Sequence, residues 1–388
     1  MKNNQIKLAN RLVSVQESAT LSLNAKVKQM AAGGRTVYNL TAGELATDTP
    51  GYIQSFVAER LHLNKYTPVA GLPELRVAVA LHASEFYGLD WIRAENVVAT
   101  TGVKAALSAT FLALLNPGDE VIVPVPGWTT SYRPLIELAG GIVVEVPLTA
   151  EYDIDPTAIE AALTAKTKLV IVNSPHNPTG TVFSREALES LARLLNEKNI
   201  TVIADDIYTK IIYQDNIPLV PTCGFNNLVV VNGFSKSQAI TGWRIGYLIA
   251  DKLVADAVAS LLSHMTGNAP LPSQYAALAA LQHDDQPPLS TISALRAQRQ
   301  LVLDTLDASG IPHNSPGGAF YVFLDLRGLT NDSALWCSTL LNETGVALVP
   351  GEAFSASGFA RLTFVAEKHL LTEALEHITT FAQKGLVP

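Results

Sequence analysis

Three short apolar runs, 168–173, 201–205 and 228–232, each end on a polar residue (Asn173, Asp205, Asn232) and recur about 30 residues apart. That spacing is one βα unit, and runs apolar throughout suit strands buried on both faces of a parallel sheet. Two earlier runs, 97–100 and 120–125, belong to the same series. Longer segments of helical spacing separate them. Val103, Leu107, Phe111 and Leu115 form one stripe, stopped by Asn116-Pro117-Gly118, and Leu188, Leu191, Leu194 and Leu195 form another within 184–198. The alternation predicts an α/β fold with a mostly parallel central sheet and helices on both faces. Polar residues at the carboxyl ends of such strands share one sheet edge, where ligands bind in open α/β folds. Asn177, Asp205, Tyr208, Ser235 and Lys236 are therefore predicted to converge.

At 388 residues the chain exceeds one ordinary core. Its pattern changes near Ser290: a helix over 295–306, strands at 319–324, 346–349 and 359–365, a helix at 333–342, and a closing helix carrying Leu371, Leu375, Ile378 and Ala382. This predicts a large domain over 49–289 and a smaller α+β domain over 290–388, with an N-terminal segment, 1–48, packing with the latter. Apolar residues at 48% and charged residues at 16% suit a compact enzyme. A net charge of −8 without a basic run argues against nucleic acid and anionic membrane as partners. Cys223 and Cys337 lack metal-ligand spacing and read as reduced thiols of a cytoplasmic protein. Neither a signal-peptide core nor a bilayer-length apolar span is expected. The histidines form no ligand pair, so no metal is expected.

The chemistry concentrates at Asn232-Gly233-Phe234-Ser235-Lys236 and Thr241-Gly242-Trp243-Arg244. A lysine just past a buried strand is poorly hydrated, so its pKa falls and its amine becomes a nucleophile able to form a Schiff base. Ser235 and Arg244 offer a hydroxyl and a planar cationic fork to a phosphate. An amine beside a phosphate anchor describes a pyridoxal-phosphate site; a surface lysine beside a structural ion pair is the plainer reading. Asp205 ends an apolar strand, where a carboxylate without a cation is costly; it either faces a ligand cation or caps the following helix. Arg361, among Phe359, Leu362 and Phe364, needs an anion, either a bound carboxylate or a glutamate of the chain.

Six motifs stand in register along nearly the whole chain: Thr41-Ala42-Gly43-Glu44, Lys65-Tyr66-Thr67-Pro68-Val69-Ala70-Gly71, Asn173-Ser174-Pro175-His176-Asn177-Pro178-Thr179-Gly180, Asp205-Asp206-Ile207-Tyr208, Ser235-Lys236 and Arg361-Leu362-Thr363-Phe364. In these residues the chain resembles the class I/II pyridoxal-phosphate-dependent aminotransferases of fold type I, in particular the bacterial aspartate aminotransferase-like subgroup. The resemblance implies that Lys236 carries pyridoxal 5'-phosphate and shuttles the substrate's α-proton, that Asp205 faces the ring nitrogen, and that Tyr208 and Asn177 bind the phenolic oxygen. It implies a phosphate site from Ser235, Arg244 and the backbone amides of Gly102, Val103 and Lys104, with Tyr66 reaching the phosphate of a second subunit in a homodimer. Trp128 would stack on the ring. Arg361, assisted by Gly43, would hold the substrate α-carboxylate, and Lys104 with Ser18 and Thr20 would read a distal carboxylate.

The implied reaction is reversible ping-pong transfer of an amino group from an L-amino acid, aspartate first, to a 2-oxo acid, 2-oxoglutarate first. The alternatives are an aminotransferase for aromatic, alanine or other donors, and a lyase on the same scaffold. Relatives carry a second glycine where Val103 stands, a Pro-Asp-Phe type sequence where Leu45-Ala46-Thr47 stands, Thr-Ser near Pro270-Leu271-Pro272, and asparagine at His176.

Overall fold

The structure is a computed structural model that describes residues 6–12, 15, 19–283 and 285–384. Its centre is a seven-stranded sheet with spatial order Val97–Thr100, Gly246–Ile249, Leu228–Gly233, Thr201–Asp205, Thr167–Asn173, Glu120–Val125, Ile142–Pro147. Gly246–Ile249 runs antiparallel to both neighbours, and all other pairings are parallel.

Alternation along these strands divides the core in two. Ile122, Val170, Val172, Val202, Ala204 and Val230 point into one apolar cluster. Val121, Val123, Leu169, Ile171, Ile203 and Val229 point into another on the opposite face. Successive strand side chains face opposite ways, so a strand that must fill both cores is apolar at every position. The edge strand Ile142–Pro147 has a neighbour on one side only and is partly exposed along most of its length.

A second, antiparallel sheet of three strands, Val349–Pro350, Phe359–Thr363 and Tyr321–Asp325, packs on the helices Leu289–Ser309, Ser333–Thr344 and Lys368–Lys384. Leu371, Leu375 and Ile378 are buried in its core, as the periodicity of the closing helix requires. The strands expected at 319–324 and 359–365 and the helix at 333–342 are found at Tyr321–Asp325, Phe359–Thr363 and Ser333–Thr344, and two further expected elements differ more. The helix expected at 295–306 runs over Leu289–Ser309, from Pro288 to Gly310, which adopts the left-handed conformation that ends it. The strand expected at 346–349 is two pairings: Val346–Ala347 lies parallel to Tyr38–Asn39, and Val349–Pro350 joins Phe359–Thr363. None of the described helices is long and apolar enough to cross a membrane.

Candidate active site

The carboxyl edge of the central sheet forms one wall of a cavity of about 510 Å³. Register aligns Asn173 with Asp205 on adjacent strands, and Asn173 Nδ2 donates to the Asp205 carbonyl at 2.7 Å while its Oδ1 accepts from the Asn177 amide at 2.9 Å. These bonds hold the turn after Thr167–Asn173 against the neighbouring strand. Asp205 is 1% exposed. Its Oδ2 accepts from the Tyr132 hydroxyl at 2.7 Å, and its Oδ1 has no partner among the described residues. Burial pushes this carboxyl up to about 6, against the opposing pull of the Tyr132 hydroxyl, the Ile207 backbone amide and Lys236.

Lys236 follows the strand Leu228–Gly233 on a turn fixed from behind. Ser237 Oγ and Gln238 Nε2 each donate to Asp285 Oδ1 at 3.2 Å, and Asp285 is paired with Lys210. Tyr52 donates to Gln238 Oε1 at 2.9 Å. The Lys236 amine points into the cavity and donates to the Gly43 carbonyl. Burial pulls it down to about 8; Arg244 and Arg361 act in the same sense, and Glu44 and Asp205 oppose.

Beside it, Arg244 lies against the N-terminus of the helix Val103–Leu114. Gly102 precedes that helix at φ 78°, and a Cβ there would stand 2.6 Å from Arg244 Nη2. Glycine is thus required twice over, by backbone conformation and by the guanidinium's approach. Lys104, on the first turn of the helix, places its ammonium 5.2 Å from the Trp128 ring centroid, and burial, then Arg244, lower its pKa. A guanidinium, the Ser235 hydroxyl and the free amides of a helix start together can hold a dianion.

The opposite wall comes from distant sequence. Arg361 is 3% exposed. Its Nη1 donates to Asn177 Oδ1 at 3.0 Å and its Nη2 to the Thr41 carbonyl at 2.9 Å, while Nε has no partner among the described residues. Both bonds go to neutral oxygens, and among the described residues no glutamate pairs with Arg361. The guanidinium lies 4.3 Å from the Tyr321 ring centroid and 5.1 Å from that of Phe354. The Tyr208 and Tyr321 hydroxyls are 2.7 Å apart.

Of the residues singled out from sequence, the cavity is lined by Gly43, Val103, Lys104, Trp128, Asn177, Asp205, Tyr208, Ser235, Lys236, Arg244 and Arg361. Gly102 sits just behind Arg244. Tyr66 is 98% exposed and outside it. Ser18 lies outside the described residues, as does the side chain of Thr20. Two participants were not foreseen. Tyr132 lies on the helix Thr129–Leu138 and Tyr321 within the aromatic run Phe320-Tyr321-Val322-Phe323, which reads as core. The available signal was generic: a buried tyrosine needs a partner for its hydroxyl. The arrangement can bind a flat cationic ring at Asp205, an anionic group at Arg244 and a carboxylate at Arg361, with a nucleophilic amine among them.

The description "Aminotransferase class I and II" matches residues 35–378. The aspartate aminotransferase of Thermotoga maritima is 41% identical over 380 residues, spanning 96% of this chain and 99% of that protein. The aspartate/prephenate aminotransferase of Thermus thermophilus is 38% identical, over 95% of this chain and 97% of its own. The solved structure of the Thermus thermophilus aspartate aminotransferase with maleate superposes with a TM-score of 0.93 at 38% identity, covering 97% of this chain and all of that one. A family match across most of the sequence, a shared fold and near full-length relatives agree: the chain belongs to the class I and II aminotransferases.

Proposed function

We propose that this aminotransferase uses pyridoxal 5'-phosphate held through Lys236, takes the amino group of aspartate and delivers it to 2-oxoglutarate. One observation carries the reading: a single cavity joins a buried carboxyl with an oxygen unpartnered among the described residues, a buried amine drawn down to about 8, and a buried arginine whose bonds among those residues go to neutral oxygens. The residues fit the cofactor. Asp205 Oδ1 wants a donor, which a protonated pyridine nitrogen supplies. The missing Cβ at Gly102 leaves Arg244, Ser235 and the helix amides open to a phosphate. Trp128 offers a ring face, and Tyr208 and Asn177 offer donors to a phenolic oxygen.

When bound, the cofactor supplies a carbon that accepts an amine and a ring that draws electrons from the substrate's α-carbon. The chain supplies the rest. Asp205 keeps a positive charge at the ring nitrogen. Lys236, with its amine near the operating pH, takes the α-proton at Nζ and returns it. Arg361 holds the substrate α-carboxylate with its planar fork, and the Gly43 turn closes beside it. Lys104, partly desolvated against Trp128, receives a distal carboxylate; Ser18 and Thr20 are proposed to assist. Maleate, present in the Thermus relative's structure, is itself a four-carbon dicarboxylate.

The proposal extends to a cytoplasmic homodimer in which the exposed Tyr66 reaches a second subunit's phosphate, and to segments at 1–48, 49–289 and 290–388. Its test is an amino-donor panel against 2-oxoglutarate, with Lys104→Ala in parallel. Aspartate and glutamate are expected to lead, and the variant to lose roughly tenfold or more in kcat/KM with them while sparing alanine. Neutral donors that match aspartate in the wild-type protein would remove the aspartate assignment.

A further inference from the structure

We propose that Tyr321 is a positioning residue that donates its hydroxyl proton to Tyr208, turning the single proton of Tyr208 toward the cavity. The inference rests on the cofactor reading above and concerns a residue to which that reading gives no role. The two hydroxyl oxygens lie 2.7 Å apart, between buried rings that meet edge to face at 81°. Each phenol has one proton, so only one of them can donate across this contact. If Tyr208 donated, its proton would be spent inside the pair and nothing would remain for an anionic oxygen in the cavity.

The surroundings decide the direction. Arg361 holds its guanidinium 4.3 Å from the Tyr321 ring centroid and so favours negative charge on that phenol, making it the better donor. Arg361 also favours negative charge on Tyr208, but there the Asp205 carboxylate opposes it, whereas no carboxylate opposes it at Tyr321; Tyr208 is therefore the better acceptor of the two. Burial raises the pKa of both phenols, so both stay neutral and the bond persists. The Tyr321 hydroxyl also faces Gly43, where an added Cβ would meet it at 3.3 Å. A hydroxyl that accepts one hydrogen bond donates the next more strongly. Tyr321 thereby links the guanidinium of Arg361 to the donor strength of Tyr208.

Tyr321→Phe removes the proton and keeps the ring beneath Arg361. The test compares wild type, Tyr321→Phe, Tyr208→Phe and the double variant after reconstitution with pyridoxal phosphate. The readouts are the pH midpoint of the visible absorption band and the steady-state constants for aspartate. A donor at the cofactor's phenolic oxygen disfavours a proton nearby, so weakening it raises the midpoint. Tyr321→Phe is expected to raise it by about half a pH unit, less than Tyr208→Phe does, and the double variant to go no further than Tyr208→Phe alone. kcat should fall roughly threefold to tenfold with KM little changed. A wild-type midpoint that Tyr321→Phe leaves in place, or shifts that add in the double variant, would overturn the proposal while the cofactor reading stands. A wild-type protein that gains no visible band on reconstitution would overturn both.

Discussion

The two walls of the cavity are built by different means. The sheet-edge wall takes Asn173, Asp205 and Lys236 from adjacent parallel strands or the turn just past one, with positions set by ladder register and by buried bonds such as Asn173 to the Asp205 carbonyl. The facing wall takes Thr41, Gly43, Tyr321 and Arg361 from segments up to some 320 residues apart and ties them through a few contacts, including Arg361 to the Thr41 carbonyl and Lys236 to the Gly43 carbonyl. A continuous hydrogen-bonded ladder resists displacement, whereas single bonds to carbonyls are ones a ligand carboxylate or carbonyl can replace. The difference assigns bond-making chemistry to the first wall and recognition to the second.

Removing the amine from the rigid wall is expected to have the largest effect. Lys236→Ala should lower turnover by about four orders of magnitude. It should leave the thermal midpoint unchanged or slightly raised, because the amine it deletes is buried at a desolvation cost. An assay that finds substantial residual transamination in a well-folded variant would break the assignment. Next, the walls should separate kinetically. Asp205→Asn should act on kcat, by roughly a thousandfold, with KM for aspartate nearly kept. Arg361→Lys keeps the charge but loses the planar fork, and should raise KM for every amino acid by about a hundredfold while kcat falls far less. If both variants changed kcat and KM in the same proportion, the division between chemistry and recognition would fail.

The same contrast governs what the sequence reveals. The strands 97–100, 120–125 and 201–205 agree with the structure residue for residue, because strands that must fill two cores are apolar through their interiors. Gly246–Ile249 was not foreseen: four residues following the Arg244 turn are too few to show a period, and its antiparallel pairing depends on neighbours far away. Ile142–Pro147 was not foreseen although its Ile142, Val143, Val144 and Val146 make it as apolar as 120–125; it differs from that strand in exposure at the sheet edge, which only the fold reveals. On the facing wall, Arg361 stood out as a cation in an apolar strand. Tyr321 did not, since a tyrosine beside Phe320 is as good a core residue as a ligand for another hydroxyl, and only tertiary contact tells them apart.

The smallest predicted effect concerns the rigid wall's stability rather than its chemistry. His176 sits between Asn173 and Asn177, buried against the Phe183 ring at a 5.4 Å centroid distance, with Nδ1 2.9 Å from Thr179 Oγ1. Burial pulls the imidazole down to about 3, from an ordinary value of 6.5. The unfolded chain therefore takes up a proton as pH falls through 6.5, while the folded chain stays neutral until about 3. Since the unfolded state binds more protons in that window, stability falls with falling pH. Asp205 and Asp206, pushed up to about 6 and about 7, act in the opposite sense, but they titrate in wild type and variant alike and cancel in the comparison. His176→Asn should therefore lose about 2 kcal/mol less than wild type between pH 7 and pH 5, read from denaturant unfolding at the two values. Parallel pH slopes would show that His176 gains its proton without unfolding, and that this turn yields more readily than a wall anchored by a β-ladder should.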